Sequence, residues 1–140
     1  MITQIAEAVK NVLAAATLSQ TFVVERAYLP RIDAKNLTGI KVLVVPHAVE
    51  TEALTRNSEQ NEYAIHVGVH ARVDVTNLAE ADVVMALADE IKLHLRRTPL
   101  ALPGVSWLSS QLEAVYSPKH LAQQGVLVSL IRVNYVAAGG

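Results

Sequence analysis

The sequence predicts an α+β fold in which a mainly antiparallel β-sheet carries two α-helices on one face. Three observations support this prediction: two segments repeat apolar residues at helical spacing, others alternate apolar with polar residues, and short polar turns separate the alternating segments. Strands joined by such turns are usually antiparallel neighbours. A length of 140 residues fits one domain, which we place at residues 1–136 and follow with a flexible tail at 137–140.

The composition indicates an aliphatic core and proteins as partners. Hydrophobic residues make up 51% of the chain but aromatic residues only 4%, so valine, leucine, isoleucine and alanine must fill the core. A formal net charge of −1 gives no general attraction to nucleic acid or to an anionic membrane. With no cysteine in the chain, we expect no disulfide and no thiolate metal site. We also expect no signal peptide and no membrane-spanning segment.

The first third of the chain predicts one helix and two strands. Apolar residues at helical spacing predict a helix over residues 3–16. The β-branched and aromatic residues that end at Pro30 predict a strand at about residues 21–28. The nearly continuous apolar segment IKVLVV predicts a strand at 40–45 that is buried on both faces.

The middle of the chain contains the least regular and the most regular segments. Residues 47–62 are polar and lack clear periodicity, so we expect a ragged strand and a loop, with a mobile excursion over 55–61. The next segment, YAIHVGVHARVD at 63–74, alternates strictly and predicts a strand. Its apolar row should face the core, and its second row contains His66 and His70.

The last third predicts a helix and two strands. An Asn-x-x-Glu capping box begins an amphipathic pattern that ends before Thr-Pro, which predicts a helix over residues 77–97. Alternation predicts a strand at about 108–116 and a final strand at 125–136. We expect the polar residues 117–125 to connect these two strands.

The two histidines of the alternating strand are the candidate chemical site. Four residues of extended chain place His66 and His70 about 13 Å apart, whereas metal–nitrogen bonds are about 2 Å long. The two imidazoles therefore cannot bind one metal ion together, and a metal site at either of them would need ligands from neighbouring strands. His47, His94 and His120 have no recognisable spacing that would supply them. We therefore interpret this row as a solvated face or a subunit contact, and expect no metal ion.

Motifs of catalysis do not occur in the sequence. We find no nucleophile elbow, phosphate-binding loop or dinucleotide-binding glycine pattern, and the carboxylates have no spacing that suggests an acid–base pair. The sequence therefore predicts a protein that is not an enzyme and uses no cofactor. Trp107 has two interpretations, an interface anchor or a residue at the edge of the core.

The order of these elements resembles the tail-terminator, or tail-completion, proteins of long-tailed bacteriophages. The resemblance covers about residues 2–136 and depends on the first helix, the strand YAIHVGVHARVD, the helix LAEADVVMALADEIKLHLR and the closing strand GVLVSLIRVNYV. It implies a structural virion protein assembled in the host cytoplasm. Such subunits form a hexameric ring at the head-proximal end of the tail tube, which ends tube growth and joins the tail to the neck.

The resemblance implies three kinds of partner: further copies of the chain, the tail tube protein, and the head–tail connector or neck proteins. Our hypothesis is that residues 50–61 and the chain after Val136 contribute to these contacts. The candidate contact residues are Glu50, Glu52, Arg56, Glu59, His66, His70, Arg97 and Trp107.

Two alternatives remain open. A head-completion, or stopper, protein of the neck would share the ring but bind the portal side. A small cytosolic enzyme or metal-binding protein would instead use the histidines of the sheet face.

Overall fold

A computed structural model shows a five-stranded sheet with helices packed against it. The structure describes residues 1–29, 35, 37–55, 58–74, 76–116 and 118–139, with side chains at all of these positions except 52–55, 58, 59, 120, 123, 124, 138 and 139. The predicted α+β class, with a mainly antiparallel sheet, is confirmed.

The described chain contains three helices and five strands. In chain order they are α1 (Ile2–Ala14), β1 (Val23–Arg26), β2 (Ile40–Thr55), β3 (Ser58–Arg72), α2 (Leu78–Arg97), β4 (Val105–Ala114), α3 (Pro118–Gln124) and β5 (Val126–Gly139). None of the helices in the described ranges has the length and apolar character needed to cross a membrane.

The strand order across the sheet is β1-β2-β3-β5-β4. Three of the pairings are antiparallel, but β1 runs parallel to β2, with Val23 opposite Lys41. Our expectation of an antiparallel pair at this point was wrong. A tight turn joins antiparallel neighbours, whereas parallel neighbours need a longer connection between them.

Helices α1 and α2 form because each has one apolar stripe, and both stripes face the sheet. The stripe of α1 consists of Ile5, Ala6, Val9 and Leu13. At the start of α2, Asn77 Oδ1 accepts a hydrogen bond from Glu80 N at 3.3 Å, so the predicted N-cap is present. The reciprocal bond of a capping box is not formed, because Glu80 Oε1 accepts from Asp74 N instead of Asn77 N. The stripe of α2 consists of Val84, Leu87, Ala88, Ile91 and Leu95.

Both stripes pack on the same side of the sheet, as predicted. The apolar row of the alternating strand is buried there and belongs to a single core cluster with the residues of both helices. In β3 this row consists of Tyr63, Ile65, Val67, Val69 and Ala71. The alternation in the sequence therefore identified the core side of the central strand correctly.

The polar segment at 47–62 forms a long antiparallel hairpin rather than a loop. Strands β2 and β3 remain paired to Thr55 and Ser58, with bulges near Ala48 and near Thr55. The predicted excursion over 55–61 is therefore wrong for residues 58–61, while 56 and 57 lie outside the described residues. The backbone ladder continues here although the sequence lacks a clear alternation of apolar and polar residues, because a strand needs alternation only where one face is buried.

Two further expectations at the end of the chain need correction. Helix α3 occupies most of the predicted connection at 117–125. Residues 137–139, expected to belong to a separate tail, continue β5 and pair with β3 as far as Gly139 opposite Glu59. Small residues can extend a strand in this way because the pairing uses backbone groups.

Candidate functional site

The sheet has a second face, opposite α1 and α2, which we call the open face. Alternation along β3 places Glu62, Ala64, His66 and His70 on it, since the residues between them face the core. The neighbouring strand β5 contributes Arg132 opposite His66. The second row predicted from the sequence is thus the central row of the open face.

His66 and His47 form a stacked pair on this face. Their ring centroids are 3.8 Å apart and their planes differ by 17°. His47 lies at the bulge of β2 between Pro46 and Ala48, and this irregularity in the register brings its ring beside the neighbouring strand. Nε2 of His66 lies 2.8 Å from Oε2 of Glu113, but the two groups are not aligned for a hydrogen bond.

The surroundings of His66 favour its uncharged form. Burial lowers the pKa of His66 most, and the nearby His47 lowers it further. Glu113 acts in the opposite direction, while the Arg132 guanidinium again lowers this pKa. The net direction is downward from the ordinary value, so the imidazole is neutral at pH 7.

Beside the histidines, Arg132 belongs to a short hydrogen-bonded chain. Its Nε donates to Asn134 Oδ1 at 3.2 Å, and Asn134 Nδ2 donates to Ser109 Oγ at 3.0 Å. Asn134 is only 5% exposed, so the chain holds a buried amide in one orientation. Within the described ranges, no carboxylate lies within 4.0 Å of the Arg132 guanidinium. Its Nη groups are therefore available for a carboxylate or phosphate from another molecule.

His70 does not join this cluster. Its side chain is 4% exposed, and its ring covers Gly68, where an added Cβ would lie 2.9 Å from His70 Cε1. Nδ1 of His70 is 3.2 Å from the Gly68 carbonyl oxygen. The expectation that His70 faces water or a neighbouring subunit was therefore wrong, because the missing side chain of Gly68 leaves room to bury the ring.

The arrangement does not bring metal ligands together. In the part of the chain that the structure describes, no group of three or more His, Cys, Asp or Glu side chains is placed to hold a metal ion. His66 contacts His47 and Glu113, whereas His70 packs on Gly68. The two predicted histidines thus have separate surroundings.

A second group of candidate residues lies where α2 meets β4. Trp107 Nε1 donates to Ser110 Oγ at 2.8 Å, and the Arg96 guanidinium lies 5.2 Å from the centre of the indole ring, as in a cation–π contact. Trp107 is partly buried against the core and lines a cavity of about 220 Å³ with Leu93. Trp107 therefore lies at the edge of the core, one of its two predicted interpretations, and its role as an interface anchor stays a prediction. Arg97 is exposed in the last turn of α2.

The far end of the β2–β3 hairpin, together with the end of β5, forms an extension that we call the arm (residues 48–55, 58–62 and 136–139). Val49 pairs with Tyr63 on the side of the helices but is 49% exposed, so the helical layer does not cover this end of the sheet. Further along, Thr51 Oγ1 donates to Asn61 Oδ1 at 2.7 Å across the strands. The helix side of the arm therefore carries the exposed apolar Val49 near its base and the polar pair Thr51 and Asn61 further out.

On the open face of the arm, Glu50 and Glu62 lie directly opposite each other. In the described ranges neither carboxylate has a basic side chain within 4.0 Å. Of the other predicted contact residues, Glu52 and Glu59 belong to the strands of the arm, but their side chains are not described. Arg56 lies outside the described residues.

Sequence reasoning missed a groove between α1 and the end of α2. It has a volume of about 690 Å³ and is lined mainly by apolar side chains, among them Ala8, Val12, Ala15, Ala101 and Leu102. A signal was present in the sequence, because alanines on the outer side of α1 leave space that larger residues would fill. Its position depends on the approach of two helices, which the sequence pattern did not specify.

Comparison with known proteins adds no relative. No protein-family model matches the chain, and no curated protein matches it.

Proposed function

We propose that this protein is the tail terminator of a long-tailed bacteriophage. In this proposal its subunits form a ring at the head-proximal end of the tail tube, end tube polymerisation and join the tail to the neck. The proposal begins from the resemblance in element order and is supported by the arm. Its partners are further copies of the chain, the tail tube protein and the connector proteins of the head.

The observation that carries the proposal is a paired extension in which Ala137 is buried in the core but Val49, on the side of the helices, is left exposed. Ordering each residue of a strand costs about 1–2 kcal/mol of conformational entropy, and the arm has no helical layer to offset this cost, as the exposure of Val49 shows. Contacts with a neighbouring molecule would supply the missing burial. Ring assembly provides such a neighbour for every subunit.

The sheet also has two edges at which another chain can pair. Strand β1 forms one edge and β4 the other, and each edge strand has one side without a partner strand in the described chain. A head-to-tail ring needs two different contact surfaces on each subunit. Two unlike edges and an arm on a single small domain meet this requirement.

The enzyme alternative gains no support from the arrangement of the histidines. It required a site built from His66 and His70. However, His66 stacks on His47 of β2, whereas His70 packs on Gly68. We therefore retain the structural role as the proposed function.

Native mass spectrometry across a protein concentration series tests the proposal. We expect a closed ring, with a hexamer as the main species, either for the protein alone or after addition of polymerised tail tubes. A ring that binds the head connector and ignores the tubes would favour the stopper alternative. A monomer that persists at every concentration and does not bind tubes would refute the proposal.

A further inference from the structure

We infer that Glu50 and Glu62 on the arm of one subunit bind Arg132 on the open face of the next subunit. This contact rests on the proposed ring and identifies two surfaces that would meet within it. The occupant of the Arg132 surface is thus a second copy of this chain, recognised through its carboxylates.

The guanidinium of Arg132 is already held in an orientation in which it can bind a carboxylate. Arg132 is partly buried, and its Nε is held by Asn134, which is fixed in turn by Ser109. A guanidinium oriented in this way loses little additional freedom when it binds. In the described ranges no carboxylate, Glu113 beside His66 included, lies within 4.0 Å of the Arg132 guanidinium. A carboxylate from another molecule can therefore form a charge-assisted pair with the Nη groups.

The arm supplies two carboxylates without a partner. Glu50 and Glu62 are opposite each other across β2 and β3, an arrangement in which like charges destabilise the strand pair. Neither forms an ion pair with a basic side chain in the described ranges. One guanidinium placed against both would relieve their repulsion, which gives a physical reason for this pairing between subunits.

The same contact does not form within one subunit. Glu62 is paired with Val136, and His66 with Arg132, so four residues of β5 separate the two positions. This corresponds to about 13 Å along the strand, and the structure shows no ion pair between Arg132 and Glu62. The arm and Arg132 are therefore separate parts of one subunit. In the proposed ring, the arm of each subunit contacts Arg132 of the next, which is a head-to-tail contact.

Charge reversal tests this contact. The first variant carries Glu50→Arg and Glu62→Arg, and the second carries Arg132→Glu. Each variant alone should raise the concentration needed for half-maximal ring assembly by at least about tenfold, because every interface then joins like charges. A 1:1 mixture should restore rings in which the two variants alternate, since each arm then meets a site of opposite charge. Native mass spectrometry resolves these mixed rings by mass.

The matched controls reverse charges on exposed residues elsewhere, Asp82→Lys on α2 and Lys119→Glu on α3, and should leave assembly unchanged. Circular dichroism checks that each variant is folded. A conservative variant, Arg132→Gln, provides a second test if Arg132→Glu fails to fold, and should also weaken assembly.

The outcomes separate this contact from the proposed function. Rings of wild-type strength in both reversed variants, or loss in both without recovery in the mixture, would overturn the contact while the ring proposal stands. Recovery in the mixture with no binding to tubes would support the contact and contradict the terminator role. Wild-type protein that never associates, alone or with tubes, would overturn both.

Discussion

At the scale of single residues, the charge of His66 is influenced by side chains from three other strands of the sheet. His47 comes from β2, Glu113 from β4 and Arg132 from β5. Burial is the largest influence and lowers the pKa of His66. The folded protein therefore favours the neutral imidazole more strongly than the unfolded chain does, and this difference links folding to pH.

We predict that His66 makes the folded state less stable in mild acid. Because its pKa in the folded state is below the ordinary value of 6.5, the unfolded chain binds the proton first as the pH falls. The contribution of His66 to the free energy of unfolding should be fully present above about pH 7 and should decline as the pH falls below about 6.5. The measurement is urea unfolding of the wild type and of His66→Gln across this range.

The His66→Gln variant should show a weaker loss of stability with falling pH than the wild type. Its absolute stability can also change, because glutamine does not reproduce the stack on His47, so the slope with pH is the quantity to compare. Parallel stability curves for the two proteins would contradict the assigned environment of His66.

Sequence alternation predicted the rows of β3 but not the surroundings of individual residues on the open face. His66 and His70 have the same position in the pattern, yet one stacks on His47 and the other is buried over Gly68. The first contact depends on a bulge in β2, and the second on the space that a glycine leaves. Neither a bulge nor the space beside a glycine recurs at a regular spacing, so the alternation of the sequence does not reveal them.

At the scale of elements, helix α2 was predicted because its signals are local. The cap at Asn77, the apolar stripe and the basic last turn all lie within the helix itself or next to it. The arm gave no comparable signal, since its segments lack a regular alternation of apolar and polar residues. Part of its pairing is with β5, which is far away in the sequence. Helix α3 was missed because seven residues are too few for a clear apolar stripe.

We predict that the arm can be shortened without loss of the fold. Replacing residues 51–61 by Asn-Gly would join Glu50 to Glu62 through a two-residue hairpin turn, and it would leave the core row of β3 intact. Thermal unfolding should remain cooperative, because residues 51, 60 and 61, whose side chains are described within this segment, do not belong to the core cluster. Ring assembly should be lost or weakened by at least about tenfold if the arm provides subunit contacts.

A control substitution outside the arm shows whether a change elsewhere on the surface affects folding or assembly. The Lys119→Glu variant changes an exposed residue of α3 and should match the wild type in both measurements. A shortened protein that is folded and assembles normally would contradict the role assigned to the arm. A shortened protein that is unfolded would show instead that the arm contributes to the fold itself.

At the scale of the whole molecule, the sequence predicted the layers of the fold better than its connections. Both long helices and their common core side followed from amphipathic spacing. The parallel pairing of β1 with β2 did not, because it depends on the path of residues 27–39 rather than on the composition of either strand. Surfaces that depend on such connections, including the two sheet edges, required the three-dimensional structure.

The final prediction concerns the polarity of the assembled ring. A head-to-tail ring has two unlike faces, so only one face can match the tube, and it can match only one tube end. Adding the protein to polymerising tail tube protein should therefore stop growth at one end and leave one ring per tube, which negative-stain electron microscopy can count. The amount of protein needed should follow the number of tubes rather than their total length, because each tube has a single site. The Arg132→Glu variant, if it stays monomeric, should leave tube lengths unchanged. Rings along the tube walls or at both ends, or tubes that grow normally beside assembled wild-type rings, would contradict the terminator role.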